Sequence, residues 1–324
     1  MKLKTALKSA VFAVAATMSI ASTSALAEEL RFMTTLPTAR EPFFVYMQQA
    51  LNAAGEEHEI TIIEADGEGD SNVQSAHIER AITLEVDGII ISPIDVNALA
   101  PAIEEAIQEG IPVVTIDRRV DGVDGILAHI GADNVEGGRA QGRWVKENFP
   151  DGARILYLRG RPGSSPAIDR NKGLHEELDG DDKYVFAAEQ TANWLRDEAF
   201  RVTETIMAGL DPEDYPTVVV SASDAMGFGA LEAVDQFGLR NSLPHITFDA
   251  APNTLQAVKA GTAEGGFSAT VDQWPGLQAA TAVEVLKAFV TTGATPDTQI
   301  QLINPKPIDQ SNITEAERYS EIAQ

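Results

Sequence analysis

The sequence lacks cysteine and contains few basic residues. None of its 324 residues is cysteine, which excludes disulfides and thiolate metal ligands. Acidic residues number 49 against 24 lysines and arginines, so the formal net charge is −25. Nucleic acids and anionic membranes require basic patches on a protein, and this balance argues against both as partners. We interpret the acidity as a solvated surface that does not identify a ligand.

Motifs for metal binding and covalent catalysis are also missing. The five histidines lie in no HExxH or comparable spacing, and no GxSxG nucleophile motif occurs. A calcium loop starting at Asp66 would need glycine in place of Ser71 and glutamate in place of His77. The glycine-rich segment 160–165 lacks the lysine of a phosphate-binding loop. We therefore predict no metal site, no cofactor and no enzymatic activity.

Long apolar runs are confined to the N-terminus. Three lysines within the first eight residues precede the apolar run Ala10–Ala21, and small residues follow as far as Ala27. This layout is typical of a secretory signal peptide, and it predicts cleavage after Ala27. The run is too short for a membrane anchor, because a spanning helix needs about 20 apolar residues. We expect residues 1–27 to be removed on export.

From Leu30 onward, short apolar runs rich in β-branched residues alternate with amphipathic segments of helical periodicity. The predicted strands cover residues 30–35, 59–64, 88–92, 112–117, 154–158, 184–188, 217–221 and 245–249. Continuous apolar strands separated by helices indicate a parallel sheet covered on both faces. The alternation restarts near Arg154, which predicts two α/β units of roughly 130 to 150 residues each.

Charged and polar residues follow several of these apolar strands directly. Asp117 and Arg118 end one strand, Ser223 and Asp224 follow another, and Asp249 ends a third. In open α/β sheets, ligands bind beyond the carboxyl ends of the strands. Carboxylate and guanidinium groups suit a ligand whose hydroxyls both donate and accept hydrogen bonds. The pattern predicts a cleft for a polar ligand, with a surface ion pair as the alternative for the first two residues.

Motifs that run in order through almost all of the chain after residue 27 resemble the ribose-binding type of periplasmic sugar-binding proteins. They are Pro42–Phe44, Val86–Pro93, Pro112–Arg118, Gly131–Gly138, Gly163–Ser165 with Arg170, Ser223–Leu231 and Thr247–Asp249. Each motif alone is weak evidence for this resemblance, whereas the ordered set is specific to the family.

The resemblance implies an α/β fold of two doubly wound parallel-sheet lobes joined by a three-segment hinge, the type I periplasmic binding protein fold. The N-terminal lobe would comprise residues 28–132 and 274–301, and the C-terminal lobe residues 133–273 and 302–324. Such a protein captures a sugar between its lobes in the periplasm and delivers it to a membrane ABC permease. A monomer is the family expectation.

The resemblance also implies a set of ligand-binding residues. They are Asp117 and Arg118 from the first lobe, Arg170 and Asp249 from the second, Gln273 at a crossing, and a sandwich of Phe43, Phe44 and Trp194. Glu41 and Ser223 stand where the ribose binders have asparagine, which argues against ribose itself. Three acids against two arginines favour a neutral pentose, hexose or sugar alcohol, although an amino sugar could pair with Glu41.

Two other functions stay open at this point. The protein could present its ligand to a receptor as a sensor, as some members of the family do. It could also be a secreted carbohydrate-active hydrolase that uses Asp117 and Asp249 as acid and base. Neighbouring arginines would lower the pKa of both carboxyl groups, which disfavours a general acid.

Overall fold

Helices and mostly parallel strands alternate along the chain in the computed structural model, which describes residues 29–323. The predicted signal peptide lies outside the described residues. Within them, no helix combines the length and the hydropathy that a membrane span requires.

The described part of the chain contains strands and helices with the following bounds. The strands are β1 (Arg31–Leu36), β2 (Thr61–Asp66), β3 (Gly88–Ile91), β4 (Val113–Ile116), β5 (Ala128–Ala132), β6 (Ala153–Arg159), β7 (Tyr184–Thr191), β8 (Val218–Ser221), β9 (His245–Ile246), β10 (Thr270–Asp272), β11 (Ile300–Ile303) and β12 (Lys306–Ile308). The helices are α1 (Pro42–Glu57), α2 (Ser71–Thr83), α3 (Ala100–Gln108), α4 (Asn134–Asn148), α5 (Ser165–Leu178), α6 (Arg196–Ala208), α7 (Asp224–Asp235), α8 (Pro252–Ala260) and α9 (Pro275–Thr292).

The first lobe is built around a six-stranded parallel sheet with the strand order β11-β5-β4-β3-β1-β2. Helices α1 and α9 pack on one face of this sheet, and α2 and α3 pack on the other. Ile89, Ile90 and Ile91 of β3 are buried between these layers. Because both faces are covered, the central strands are apolar throughout.

The second lobe contains a four-stranded parallel sheet with the order β7-β6-β8-β9. A bridge between Ile246 and Ala269 continues it towards the antiparallel pair of β10 and β12. Helices α4 and α5 approach closely at Gly138, where a Cβ atom would overlap the backbone of Arg170. This close approach fixes the position of α5. The two lobes confirm the predicted fold class.

The described chain passes between the two sheets after β5, after β10 and after β11. Ile303, the last residue of β11, pairs with Ala132 in the first sheet, and β12 then pairs with β10 of the second lobe. The last crossing therefore lies between β11 and β12. The predicted lobe division between residues 301 and 302 cuts through β11.

Candidate functional site between the lobes

One cavity between the lobes brings together all ten residues that the sequence predicted to bind a ligand, whereas Asp224, which also follows a predicted strand, does not line it. Its lining residues are Glu41, Phe43, Phe44, Asp117, Arg118, Pro166, Arg170, Trp194, Ser223, Asp249 and Gln273. The first five belong to the first lobe, Gln273 lies at a crossing, and the others belong to the second lobe. Of the eleven, only Pro166 was absent from the sequence prediction. Their contact with a ligand stays a prediction.

Asp117 presents its carboxylate at the end of the buried strand β4. Its φ angle of 60° lies in the left-handed region, which is costly for a residue with a side chain. Ser92 Oγ donates a hydrogen bond of 3.3 Å to its Oδ2 atom. Burial raises the pKa of the Asp117 carboxyl group, and the charges of Arg118 and Arg170 oppose this shift. The strained backbone and the burial are typical of functional positions.

Arg118 is 3 % exposed, yet its guanidinium group has little contact with protein acceptors. The nearest carboxylate oxygens belong to Asp117, 3.6 Å from Nε, and to Glu41, 3.8 Å from Nη2. Both distances are too long for hydrogen bonds. Its Nε atom is buried without a hydrogen-bond partner in the described part of the chain. A buried donor without a partner costs about 1–3 kcal/mol, and a charged donor costs more, so this group is poised to donate to a ligand.

Arg170 has the opposite environment, because other protein groups hold its guanidinium. Nε donates to Asn134 Oδ1 at 2.8 Å, and Nη1 donates to the carbonyl oxygen of Ala222 at 2.6 Å. Nη2 donates to Gln273 Oε1 at 3.1 Å. The Arg170 guanidinium also stacks on Phe248, with its carbon 3.5 Å from the ring centroid. Burial lowers the pKa of Arg170, and the charges of nearby carboxylates oppose this shift.

Asp249 completes the polar wall of the second lobe. Its carboxylate accepts a hydrogen bond of 2.7 Å from Gln273 Nε2 and lies 3.8 Å from Arg170 Nη1. Burial, together with the charge of Asp224, raises the pKa of Asp249 well above its usual value. Its φ angle is 115°, which is rare for a residue other than glycine. Asp117 and Asp249 thus combine backbone strain with raised carboxyl pKa values. The prediction that neighbouring arginines would lower both pKa values is wrong, because desolvation by burial outweighs the arginine charges.

Trp194 lies between the two arginines. Its ring centroid is 5.9 Å from the guanidinium carbon of Arg118 and 5.7 Å from that of Arg170. Gly160 makes this placement possible, because a Cβ atom there would overlap the indole ring. The indole Nε1 atom is buried and has no hydrogen-bond partner in residues 29–323. Trp194 therefore offers both an aromatic surface and a free donor.

Phe43 and Phe44 occupy the facing wall in an edge-to-face arrangement, with centroids 5.1 Å apart. Phe44 is 2 % exposed and also belongs to the core of the first lobe. Phe43 is only partly buried. The ring of Phe44 therefore packs in the core of the first lobe and also borders the cavity.

Glu41 and Ser223 differ in how free their side chains are. Ser223 caps α7, and its hydroxyl accepts a hydrogen bond of 3.4 Å from the backbone N–H of Met226. Glu41 precedes α1, but its side chain makes no capping hydrogen bond. Burial raises the pKa of Glu41, against the charges of Arg118 and Arg161. Its carboxylate therefore faces the cavity without a strong protein partner.

The comparisons with known proteins agree with this architecture. A family model described as periplasmic binding protein domain matches residues 32–295. This chain belongs to the periplasmic binding protein family. The ribose import binding protein of Bacillus subtilis is 30% identical over 258 residues, which cover 79% of this chain and 80% of that protein.

Two solved structures resemble this binding protein along almost its whole length. The myo-inositol binding protein of Caulobacter, bound to myo-inositol, is 34% identical with a TM-score of 0.85, and the match covers 90% of this chain and 97% of that one. A solute-binding protein of Bacillus halodurans with bound myo-inositol is 26% identical with a TM-score of 0.81, covering 90% and 98% of the two chains. These relatives are named as binding proteins, not as enzymes.

A second group of contacts joins the lobes of this binding protein outside the cavity. The segment Arg161–Asp169, which we call the clasp, carries them. They are Arg161 Nη1 to the carbonyl oxygen of Gly69 (3.2 Å), Val96 N–H to the carbonyl oxygen of Gly163 (3.0 Å), Arg119 N–H to Ser165 Oγ (3.0 Å) and the ion pair of Arg119 with Asp169. These contacts link the two lobes directly.

Several residues that shape the site were not predicted from the sequence. Asn134, Ser92 and Phe248 position the charged side chains, and Pro166 lines the cavity. Asn134 and Phe248 lie inside the motifs of the family resemblance, which was the only signal for them. Their roles depend on contacts with Arg170 across 36 and 78 residues of sequence, which no local pattern reveals. Among residues 29–323, no group of histidine and acidic side chains could hold a metal ion.

Proposed function

We propose that this protein captures a neutral monosaccharide or sugar alcohol between its lobes in the periplasm and delivers it to a membrane ABC permease as a monomer. The observation that carries the proposal is Arg118, a buried guanidinium without adequate protein acceptors beside two carboxylates and three aromatic rings. Ligand hydroxyls would accept from the arginine and donate to the carboxylates. The aromatic rings would pack against the apolar C–H face of the ligand.

The charge of the cavity supports a neutral ligand. Glu41, Asp117 and Asp249 outnumber the cations Arg118 and Arg170, so a ligand carboxylate or phosphate would meet an unfavourable field. A ring that presents a hydroxyl on every carbon would use donors and acceptors on all sides. Two similar proteins hold myo-inositol, which makes that cyclic polyol our first candidate and ribose the second.

Two lobes that share one site also provide the transport signal. A ligand can contact Arg118 and Arg170 together only when the cleft is closed, so binding shifts the equilibrium towards the closed form. A permease could then distinguish loaded from empty protein by the relative position of the lobes. The predicted signal peptide supports a periplasmic location.

Thermal-shift and calorimetric titrations of the protein with myo-inositol, ribose, fructose, glucosamine and glucuronate would test this proposal. A neutral ligand at 100 times its Kd should raise the free energy of unfolding by about 2.7 kcal/mol. Stabilisation by glucuronate alone would contradict it. Recovery of the ligand unchanged after incubation would separate a carrier from a hydrolase, and NMR of the released ligand makes that measurement.

A further inference from the structure

The C-terminal segment 313–322, which we call the brace, packs on the second lobe but also reaches the first. Its residues Ala316 and Ile322 are buried in a cluster with apolar residues of α8 and β12. Arg318, which lies between them in the chain, stacks on Tyr46 of α1 with its guanidinium carbon 3.6 Å from the ring centroid. The brace therefore contacts both lobes.

The brace supplies the N-terminal cap of α9, a helix of the first lobe. Trp274 holds the N-cap position, but an indole has no oxygen that could accept from the first backbone N–H groups of the helix. Pro275 follows without an N–H group, so Gly276 and Leu277 carry the first free donors. The carboxylate of Glu317 accepts both, at 3.0 Å from the nitrogen of Gly276 and 2.8 Å from that of Leu277. A glutamate from far along the chain thus replaces the usual capping side chain.

The brace also holds the crossing between the lobes that precedes α9. The carboxylate of Asp272, the last residue of β10, accepts hydrogen bonds of 2.7 Å from the backbone N–H of Glu317 and 3.0 Å from that of Trp274. Trp274 has a φ angle of 59°, in the left-handed region that is costly for a residue with a side chain. Two hydrogen bonds on one buried carboxylate therefore hold a turn that the backbone alone disfavours.

Gln273 is the central residue of this turn. Its side-chain amide donates to Asp249 at 2.7 Å and accepts from Arg170 at 3.1 Å. Its backbone carbonyl oxygen accepts a hydrogen bond of 2.7 Å from Nε2 of Gln278 on α9. The start of α9 therefore fixes the position of Gln273, and Glu317 fixes the start of α9.

We propose that Glu317 is a positioning residue for ligand binding, which holds the crossing after β10 in the conformation that presents Gln273 to the ligand. Glu317 itself does not line the cavity between the lobes. This inference rests on the proposed function, since it assumes that Gln273 binds the ligand. Without the brace, only a fraction of the molecules would have this crossing in its binding conformation, and the apparent Kd would rise in inverse proportion to that fraction.

Calorimetric titration with myo-inositol, or with ribose if myo-inositol does not bind, tests the inference. Glu317→Ala should raise the Kd by about three- to tenfold, the loss expected when a helix cap is removed. Glu317→Gln keeps a carbonyl oxygen that accepts from the same N–H groups, so it should recover most of the affinity. Glu315→Ala is the matched control, because this exposed glutamate of the brace pairs with Lys306 of the second lobe and should leave the Kd unchanged.

A double-mutant cycle with Gln273→Ala separates positioning from a general loss of stability. If Glu317 acts through Gln273, then Glu317→Ala should weaken binding no further in the Gln273→Ala background. A general loss of stability would weaken binding in both backgrounds. Circular dichroism of each variant establishes that it is folded.

Hydrogen exchange gives a second measurement at the crossing itself. In ligand-free Glu317→Ala, the backbone amides of Trp274, Gly276 and Leu277 should exchange faster than in the wild type, because their acceptors are lost or displaced. Saturating ligand should slow exchange at these amides more in the variant than in the wild type, whose crossing the brace already holds.

Three results would overturn the inference and leave the proposed function standing. Glu317→Ala could bind as tightly as the wild type, or it could lose as much affinity in the Gln273→Ala background as it does alone. If Gln273→Ala binds too weakly for titration, the exchange measurement decides, and equal protection by the ligand in the wild type and in Glu317→Ala is the third such result. Failure of the wild type to bind any of the neutral sugars would contradict the proposed function itself, and the inference with it.

Discussion

The two buried arginines of the cleft come from different lobes and differ in how the protein treats them. Arg170 donates three hydrogen bonds to protein acceptors and stacks on Phe248. Arg118 is similarly buried, but its carboxylate neighbours lie 3.6 Å and 3.8 Å away and its Nε atom has no partner in the described residues. The second lobe therefore holds its arginine in place with protein acceptors, and the first lobe leaves its arginine with hydrogen-bonding capacity that we expect a ligand to use.

We infer from this difference that the two arginines have separate roles in ligand binding. A preorganised group loses little freedom on binding, which favours affinity. A donor without a hydrogen-bond partner in the protein adds to the free energy of ligand binding. This contribution is available only when both lobes enclose the ligand. The comparison predicts that the two arginines contribute differently to stability and to binding.

Arg170→Ala should have the largest effect on stability. It leaves the buried acceptors of Asn134, Ala222 and Gln273 without their donor, and it leaves Asp249 without its nearest cation. Removing one partner of a buried charge pair costs about 3–5 kcal/mol. We expect urea denaturation of the ligand-free protein to show a loss of that order, together with loss of ligand binding. A loss below about 1 kcal/mol, the net contribution of one ordinary hydrogen bond, would show that the contacts of Arg170 contribute little to the fold.

Arg118→Ala should weaken ligand binding without destabilising the ligand-free protein. Ligand affinity should fall by at least about a hundredfold, because two charge-assisted hydrogen bonds of about 1.5–3 kcal/mol each are lost. The free energy of unfolding of the ligand-free protein should stay the same or rise, because a buried charge without adequate partners is removed. Calorimetry and urea denaturation measure the two quantities. Arg118→Lys is the control, since it keeps the charge without the planar fork. Destabilisation as large as that of Arg170→Ala would contradict the comparison.

The acids beside the arginines should make stability depend on pH. The pKa of Asp249 is raised in the folded protein, so this carboxyl group takes up a proton on folding between its raised pKa and the usual value near 4. As the pH falls through that window, the ligand-free wild type should gain stability relative to Asp249→Asn. The gain should be at most about 1.4 kcal/mol per pH unit.

Urea denaturation of both proteins between pH 7.5 and pH 4.5 measures this difference. Asp197→Asn serves as the control, because Asp197 is exposed on α6 and does not line the cavity. A difference that is constant over the whole range, or that moves in the other direction, would contradict the raised pKa.

Of these changes, loss of the ion pair in the clasp should have the smallest effect on ligand binding. Asp169→Asn removes the ion pair with Arg119 without changing the residues that line the cavity between the lobes, and such partly exposed pairs contribute about 0.2–1 kcal/mol. A smaller population of the closed form should weaken ligand binding by about two- to fivefold, with the stability of each lobe unchanged. Titration of the variant and small-angle scattering of the ligand-free protein measure the two effects. An unchanged Kd would mean that the clasp does not bias closure.

Local patterns predicted much of the fold, but not all of it. The strands predicted at 88–92 and 217–221 closely match β3 and β8, because each is a continuous apolar run. Strand β5, with the sequence AHIGA, and the glycine-containing helix α4 were not predicted as elements, since neither has a strong apolar pattern. The run 245–249 was predicted as one strand, but β9 ends at Ile246 and the backbone at Asp249 leaves the extended region.

The sequence by itself determined the α/β alternation, the acidic surface and the polar residues at the strand ends, because each follows from the spacing and charge of neighbouring residues. Only the tertiary structure decided which arginine is satisfied and which is free. That distinction depends on acceptors such as Asn134 and Gln273, which lie 36 and 103 residues from Arg170 in the chain and meet it only when the lobes fold.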